Sequence, residues 1–391
     1  MASQKRAFLT LFLVVATELI GFGLIIPILP QLAAQFESSG LLLGFLMASY
    51  SIAQFISAPI LGKLSDRYGR KPVLMFSKLG TVLAYIILAF AQSYSLFLVS
   101  RIIDGFTGGN IAVARAYVSD ITTKKDRPKG MALIGISFGV GFILGPALGG
   151  LLYGLESGHM IPALVAGSLS FLAFLFTVFL LEEPTRKKEM GSPVKFLQAL
   201  PQVAKSPAVL IICGVQMMYL ILFSGFETTF SIFTHRLFQF SIQDNSLLFF
   251  YIGFLALIFQ GYLSRKASSK IKSVTLFGLV VLSASYILLG INNTTTGLYI
   301  VLIFMSMGIS IVNTYLPSLL TLNSDERSTG LVMGVYDSLG SLGRIIGPLV
   351  VYTTLFTALP LLYILSGCIL AVCTVLFFIS TLQRFGLIQG S

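Results

Sequence analysis

The chain has 391 residues, of which 55% are apolar and only 10% are charged. Soluble domains carry about 25% charged residues, so this composition excludes a water-soluble globule and also a disordered or collagen-like chain. The formal net charge of +11 does not indicate a nucleic-acid partner. The basic residues cluster in short breaks between apolar runs, as they do in membrane proteins.

The predicted elements are twelve apolar runs, each long enough to cross a bilayer as an α-helix. Transmembrane barrel strands are excluded because they are about 10 residues long and alternate in polarity. The predicted spans cover residues 7–33, 40–61, 73–92, 95–118, 130–154, 161–181, 208–234, 245–264, 273–291, 298–321, 330–355 and 359–380. The sequence therefore predicts an all-α membrane protein with twelve transmembrane helices.

Lysine and arginine are unevenly distributed among the connections between these spans. The connections after even-numbered spans carry nearly all of them, whereas those after odd-numbered spans carry only Arg236. Because cytoplasmic loops of membrane proteins are enriched in Lys and Arg, this asymmetry predicts that both termini lie in the cytoplasm.

The longest polar stretch, residues 182–207, divides the spans into two sets of six. Its prolines and its lack of a long apolar run predict a cytoplasmic linker. Residues 1–181 and 208–391 are then two six-helix bundles. Short sequences recur in both, such as Gly145-Pro146 and Gly347-Pro348, which indicates duplication and pseudo-symmetry. Parallel six-helix repeats are a transporter architecture.

The connection between the second and third spans carries the most specific motif. It reads Gly62-Lys63-Leu64-Ser65-Asp66-Arg67-Tyr68-Gly69-Arg70-Lys71 and resembles the corresponding loop of the major facilitator superfamily. That resemblance covers essentially the whole chain and implies the major facilitator fold. It also implies that Gly62, Asp66, Arg67, Gly69 and Arg70 govern switching between outward and inward states. The two glycines would let helix ends approach closely, and Asp66 can face a helix N-terminus. The alternative is a simple basic turn.

Charged residues inside the first and fourth spans are the candidates for proton coupling. Glu18 resembles an acid in the first span of tetracycline-resistance and related exporters. Arg101 and Asp104 are three residues apart on one helical face, at a depth where charges are usually functional. The alternative is a pair that only holds helices together. In the same exporters an acid matching Asp120 pairs with the loop arginine, here Arg70.

The roles expected of these residues follow from their neighbours. Glu18 has no ionisable neighbour in its own helix, and a carboxylate in a dry site takes up a proton more readily than one in water. Arg101 should keep Asp104 charged. We therefore expect Glu18 to carry the proton, and Arg101 with Asp104 to sense it.

The fifth span is rich in glycine and ends with the sequence Gly145-Pro146-Ala147-Leu148-Gly149-Gly150. Glycines let membrane helices pack backbone to backbone, and the proline bends the helix. This ending resembles the antiporter motif typical of antiporting drug exporters in the superfamily. The motif residues are Gly141, Gly145, Pro146, Gly149 and Gly150.

The second half departs from the tetracycline exporters because its ninth span contains no acid. It carries Glu227 in the seventh span and Asp337 and Arg344 in the eleventh, so tetracycline is not implied as the substrate. Other polar residues within the spans either line the cavity or bond a neighbouring helix. They are Gln54, Asn110, Gln216, Gln260 and Asn313.

The resemblance implies a proton-coupled antiporter that exports small lipophilic or amphiphilic compounds by alternating access, in a bacterial cytoplasmic membrane. The alternative is a transporter for one metabolite, sugar, lipid or siderophore. Four intramembrane acids against two arginines favour cationic or neutral substrates.

The sequence shows no nucleotide loop, metal-ligand cluster or nucleophile constellation. We therefore expect no enzymatic activity, no cofactor and no metal, and an enzyme or sensor on this fold is disfavoured. The expected partners are a small-molecule substrate, protons and membrane lipid, and not nucleic acid. The chain is expected to be a monomer.

Overall fold

The structure is a computed structural model that describes residues 2–34, 39–122, 127–153, 158–184, 206–265, 271–324, 329–355 and 358–383. Within these ranges the chain is helical and contains no strand. The helices are α1 (Ala2–Ile25), α2 (Leu29–Ala34), α3 (Gly40–Tyr68), α4 (Arg70–Ala89), α5 (Tyr94–Gly108), α6 (Asn110–Ile121), α7 (Arg127–Tyr153), α8 (Met160–Leu180), α9 (Pro207–Phe238), α10 (Ile242–Arg265), α11 (Ile271–Ile291), α12 (Thr295–Leu322), α13 (Thr329–Val350) and α14 (Leu359–Gln383).

The described part of the chain has 10 helical stretches that are long and apolar enough to cross a membrane. One of them, Tyr94–Ile121, is formed by α5 and α6 together. Helix α7 adds a shorter apolar stretch, Gly139–Tyr153, and α13 is the helix at the predicted eleventh span. The described helices therefore match the twelve predicted segments, and the predicted all-helical architecture is confirmed.

Some predicted spans are interrupted in the structure. The first is divided into α1 and α2 around Pro27, because proline lacks the backbone N–H that a continuing helix needs. The fourth is divided at Gly109, where α5 and α6 adjoin. The eleventh ends in a π-helical turn, Val351–Leu355, shortly after Pro348. Sequence periodicity does not resolve such local breaks, because the apolar run continues through each of them.

Large apolar side chains remain exposed on the outer faces of the helices. Phe179 is 78% exposed, Phe76 65% and Leu151 70%. A soluble protein rarely exposes large apolar patches, whereas lipid tails provide an apolar environment for them. This distribution supports the assignment of the helices to a membrane.

The helices group into two compact units. The first unit contains α1 to α8 and the chain from Gln239 to Tyr251, and in it α1 packs on α7 and α8 while α4 packs on α5 and α8. The second contains α9, the rest of α10 and α11 to α14, with α9 packed on α13 and α11 packed on α12 and α14. Residues 185–205 of the predicted linker lie outside the described residues, so the boundaries at 181 and 208 stay a prediction.

Candidate transport site in the first unit

The described part of the first unit buries four charged side chains within its apolar helices. Glu18 is 2% exposed, Lys78 0%, Arg101 2% and Asp104 1%. They come from α1, α4 and α5. Charges at membrane depth are costly and usually mark a substrate or proton path, so this set is the candidate site.

Glu18 and Lys78 form a buried ion pair between α1 and α4. The Lys78 Nζ lies 2.7 Å from the Glu18 Oε2, and the two side chains are 0% and 1% exposed. The Asn110 Nδ2 donates to the same carboxylate oxygen at 3.1 Å, and the Lys78 Nζ also donates to the Thr17 hydroxyl at 3.4 Å. Three helices therefore meet at one carboxylate.

This pair adds an ionisable partner to Glu18, for which the sequence indicated no ionisable neighbour within its own helix. The neighbour comes from α4, and within-helix spacing could not reveal it. A signal was nevertheless present, because Lys78 is the single charged residue of the predicted span 73–92. An intramembrane lysine is by default a functional candidate with a partner.

Arg101 and Asp104 form a second buried pair, one turn apart on α5. The Arg101 Nη2 lies 2.9 Å from the Asp104 Oδ2. These two atoms and the Asp104 Oδ1 make no contact with hydrogen-bond geometry to a described residue. The guanidinium also lies against two aromatic rings, 5.9 Å from the Tyr50 centroid and 5.7 Å from that of Tyr85. The pair is thus held mainly by charge and by cation–π contact, and its role in coupling stays a prediction.

The polar candidates of the first unit have identifiable partners. The Gln54 Nε2 donates to the Tyr50 hydroxyl at 3.3 Å and to the Gly108 carbonyl at 3.1 Å, so Gln54 joins α3 to α5. Asn110 belongs to the Glu18 site, as described above. The sequence left two alternatives for these residues, lining the cavity or bonding a neighbouring helix. The hydrogen bonds of Gln54 and Asn110 favour the second.

The polar candidates of the second unit are not gathered into one ion-pair cluster among the described residues. The Gln216 Oε1 accepts from the Tyr336 hydroxyl at 2.7 Å, which joins α9 to α13. Glu227 is 9% exposed, and its Oε1 has no hydrogen-bond partner among the described residues. Of the remaining candidates, Arg344 is half-buried, whereas Gln260, Asn313 and Asp337 are exposed.

The predicted switching loop is the tight connection between α3 and α4. Gly69 has a φ of +114°, a backbone conformation that favours glycine. Arg70 follows it and is the centre of the loop, since its Nη1 lies 2.6 Å from the Asp66 Oδ1 and its Nε 2.8 Å from the Asp120 Oδ2. The structure therefore brings Arg70 and Asp120 together, while the exposed side chain of Arg67 lies against the Tyr68 ring.

The N-terminus of α4 is capped by a carboxylate that the sequence analysis did not single out. The Glu183 Oε1 accepts from the Arg70 backbone N–H at 2.7 Å, and its Oε2 accepts from that of Lys71 at 2.8 Å. A Cβ on Gly69 would lie 2.9 Å from the same carboxylate. Close approach thus explains Gly69. A Cβ on Gly62 would have no described atom within 4 Å, so the close approach expected at Gly62 stays a prediction.

The Arg70–Asp120 contact leads to a double-mutant prediction. Arg70→Ala and Asp120→Ala each remove this ion pair, and Arg70→Ala also removes the contact with Asp66. We therefore expect both to lower transport, and Arg70→Ala to lower it more. The loss of transport in the double variant should be smaller than the sum of the two single losses. The expected coupling energy is about 0.5–1 kcal/mol, because the pair is partly exposed. Initial transport rates of the three variants at equal protein amounts provide the check. Fully additive effects would show that the two side chains act independently.

The Glu183 cap leads to a second prediction. Glu183→Gln keeps the size of the side chain and removes its charge, which stabilises the positive end of α4 by about 0.3–1 kcal/mol. Hydrogen–deuterium exchange at the amides of Arg70 and Lys71 should become faster. Glu182→Gln, at the neighbouring exposed acid, is the matched control and should leave those amides unchanged. Equal protection in both variants would contradict the cap.

The glycines of the predicted antiporter motif lie at close helix contacts. A Cβ on Gly141 would lie 2.3 Å from the Leu19 Cβ, one on Gly145 2.6 Å from the Gly23 Cα, and one on Gly149 2.3 Å from the Leu24 carbonyl oxygen. All three contacts are with α1, and Pro146 lies inside α7 beside Gly23. Gly150 faces Ser246. The motif thus packs α7 on α1, and its association with antiport stays a prediction.

Comparison with known proteins gives a consistent result. The family model described as Major Facilitator Superfamily matches residues 11–348. Tetracycline resistance protein, class H, from Pasteurella multocida is 32% identical, with 88% of this chain and 88% of that protein covered. Multidrug resistance protein 2 from Bacillus subtilis is 28% identical, with the same coverage of 88% on each side. The crystal structure of the human organic anion transporter MFSD10 superposes with a TM-score of 0.73 at 26% identity, covering 95% of this chain and 99% of that one.

These matches extend over nearly the whole chain and include tetracycline exporters, as the motifs predicted. The major facilitator fold is confirmed, and the chain is a multi-pass integral membrane transporter of small molecules and not an enzyme. Its helices, its loop motif and the match to the family model lead to one conclusion: the chain belongs to the Major Facilitator Superfamily.

Proposed function

We propose that this transporter is a proton-coupled antiporter that exports small lipophilic or amphiphilic compounds by alternating access. The observation that carries the proposal is the buried set of Glu18, Lys78, Arg101 and Asp104 in the first unit. Titratable groups are rarely kept in a membrane protein's interior unless they bind a proton or a substrate. Relatives named for tetracycline resistance and multidrug resistance support drug-like compounds as the substrate class.

The charge balance of this set differs from the one counted from the sequence. The count of four acids against two arginines omitted Lys78, which is fully buried. In the first unit, Glu18 and Asp104 are matched by Lys78 and Arg101, so the buried set has no formal net charge. Over both units the four acids are then matched by three bases, Lys78, Arg101 and Arg344. The counted charge deficit therefore falls from two to one and gives less support to a preference for cationic or neutral substrates.

We also propose the orientation and location of the chain. The uneven distribution of Lys and Arg supports a cytoplasmic position for both termini, and the bacterial exporters among the relatives support a bacterial cytoplasmic membrane. The proposed working form is a monomer. Site-directed labelling of single cysteines placed in the loops of intact cells tests the orientation.

A second candidate function is the transport of organic anions. The human relative of known structure is described as an organic anion transporter, and Lys78 and Arg101 place two cations within the buried set. A transporter for a single dedicated metabolite is the third reading. These candidates differ in substrate charge, so one assay separates them.

The test uses purified protein in liposomes with an imposed pH gradient. We expect an acidic lumen to drive accumulation of amphiphilic compounds, and we expect nigericin, which collapses the gradient, to abolish it. Protein-free liposomes are the control for passive partition. Accumulation of anions alone would favour the second candidate, and equilibration without accumulation would contradict proton coupling.

A further inference from the structure

Lys78 is a buried ammonium group whose only acidic partner in the described contacts is Glu18. The pair is inaccessible to water in this structure, with side-chain exposures of 0% and 1%. Removing one charge of a buried ion pair costs far more free energy than the loss of the attraction alone, because the remaining charge is left buried without a counter-charge. Any step that changes the charge of one partner must therefore supply a replacement charge.

The surroundings of the pair contain no further net charge. Helix α3 contributes Tyr50 and α4 contributes Tyr85, while α5 contributes the mutually paired Arg101 and Asp104. Helix α6 contributes the neutral Asn110. Helices α7 and α8, which also pack on α1, have no charged residue between 134 and 153 or between 160 and 180. The region is neutral only while Glu18 and Lys78 are both charged or are changed together.

Two kinds of proton exchange are conceivable at this pair. A proton added to Glu18 would leave the Lys78 ammonium without a partner, and the resulting positive site would repel a cation. A proton lost from Lys78 would leave the Glu18 carboxylate without a partner, and an arriving cation would restore neutrality. Lysine can release its proton in a dry site, whereas arginine remains charged.

We propose that Lys78 is the proton-carrying residue and that an organic cation binds at Glu18 as Lys78 releases its proton. One N–H bond of the Lys78 ammonium breaks, its electron pair stays on the nitrogen, and the proton passes to water in a state of the transport cycle that opens the pair to the aqueous side. Glu18 stays a carboxylate throughout, and its partner changes from the ammonium to the cation. The net charge is zero before and after the exchange. This inference deepens the proposed antiport function and rests on it.

The residues next to Glu18 fit a lipophilic cation. Phe22 lies one helical turn further along α1, and its ring centroid is 4.9 Å from that of Tyr50. The Tyr85 hydroxyl would lie 2.6 Å from a Cβ on Gly21, so Tyr85 also borders this face of α1. A carboxylate bordered by aromatic rings is the environment in which organic cations bind, through charge and cation–π contact.

The test measures proton release on binding by the full-length protein in detergent and weak buffer with a pH indicator. The probes are tetraphenylphosphonium and tetraphenylborate, which have nearly the same shape and opposite charge. We expect about one proton to be released for each phosphonium ion bound, as linkage requires for a one-for-one exchange. Binding of the phosphonium without proton release contradicts the inference alone. If neither probe binds, both the inference and the proposed substrate class are contradicted.

Two substitutions at the same position sharpen the test. Lys78→Arg keeps the charge but cannot release a proton, so phosphonium affinity should fall by at least about tenfold and transport should stop. Lys78→Met removes the ammonium and leaves the Glu18 carboxylate to pair with the phosphonium, which should still bind. Lys272→Met, at a lysine of α11 outside both the buried pair and the switching loop, should behave like the unmodified protein.

Two results would contradict the assignment of Lys78 as the proton-carrying residue. Tetraphenylborate binding with proton uptake, lost in Lys78→Met, would make Lys78 an anion site and overturn the inference. Proton release that persists in Lys78→Arg, which cannot supply the proton, would place the exchanged proton elsewhere. The measurement on the unmodified protein remains decisive if a variant does not fold.

Discussion

Glu18→Gln is expected to abolish proton-driven accumulation and also to destabilise the protein. The glutamine keeps the shape of the side chain and an oxygen for the Lys78 Nζ, which lies 2.7 Å from the carboxylate in the native pair. It removes the negative charge, so the buried ammonium is left uncompensated. The expected loss in the free energy of unfolding is about 3–5 kcal/mol, the usual cost of breaking a buried pair from one side. Thermal melts followed by far-UV circular dichroism measure it.

The matched control removes both charges together. In Glu18→Gln combined with Lys78→Met no charge is left alone, and replacement of a buried pair by neutral groups of similar volume is often neutral for stability. We expect the double variant to melt near the unmodified protein and yet to show no pH-driven accumulation. Downhill exchange of neutral substrates should remain, because the helices still pack in the same way, whereas exchange of organic cations should fall with the loss of the carboxylate.

This pair of variants separates the role of Glu18 in folding from its role in coupling. Accumulation against a gradient by the double variant would show that the proton is carried elsewhere. Glu227 would then be examined first, since its buried Oε1 lacks a described hydrogen-bond partner. A double variant as unstable as Glu18→Gln alone would contradict the assigned pairing of Glu18 with Lys78.

The fold was predictable because membrane insertion imposes a strong pattern on the sequence. Runs of about 20 apolar residues are unambiguous in a chain with so few charges, and the loop at residues 62–71 resembles one family in every position. Breaks such as the one around Pro27, between α1 and α2, were not predicted. The apolar run continues through residue 33, so hydropathy alone does not show where the helix is interrupted.

The site was predictable only in part, because contacts between helices do not follow from spacing within one helix. Arg101 and Asp104 are one turn apart on α5, and their pairing follows from that spacing. The partner of Glu18 is 60 positions away in the sequence, and the Glu183 cap joins residues 113 positions apart. Such pairs depend on which helices are adjacent. A census of intramembrane charges would have identified Lys78, but not its partner.

Gly145→Ala is expected to destabilise the packing of α7 on α1. The added Cβ would lie 2.6 Å from the Gly23 Cα and 2.9 Å from the Ile20 carbonyl oxygen. Both are backbone atoms, so the clash cannot be relieved by rotation of a flexible side chain. Overpacking of this kind costs about 1–3 kcal/mol. We therefore expect a lower free energy of unfolding and a lower yield of folded protein.

Gly214→Ala is the control because it makes the same chemical change without a contact. A Cβ there would have no described atom within 4 Å, and Gly214 lies within α9. Alanine in a helix interior is more favourable than glycine by about 0.5–1 kcal/mol. The two substitutions should therefore shift stability in opposite directions, and a shift in the same direction would contradict the packing role of Gly145.

The same variants test whether the motif has a role in antiport beyond packing. If Gly145 acts through packing alone, the transport rate per folded Gly145→Ala molecule and its proton coupling should equal those of Gly214→Ala. A folded Gly145→Ala protein that equilibrates substrate but no longer accumulates it would show a further role in coupling. That outcome would link the helix contact between α1 and α7 to the ion pair on α1, because Glu18 and Gly23 are only five residues apart on that helix.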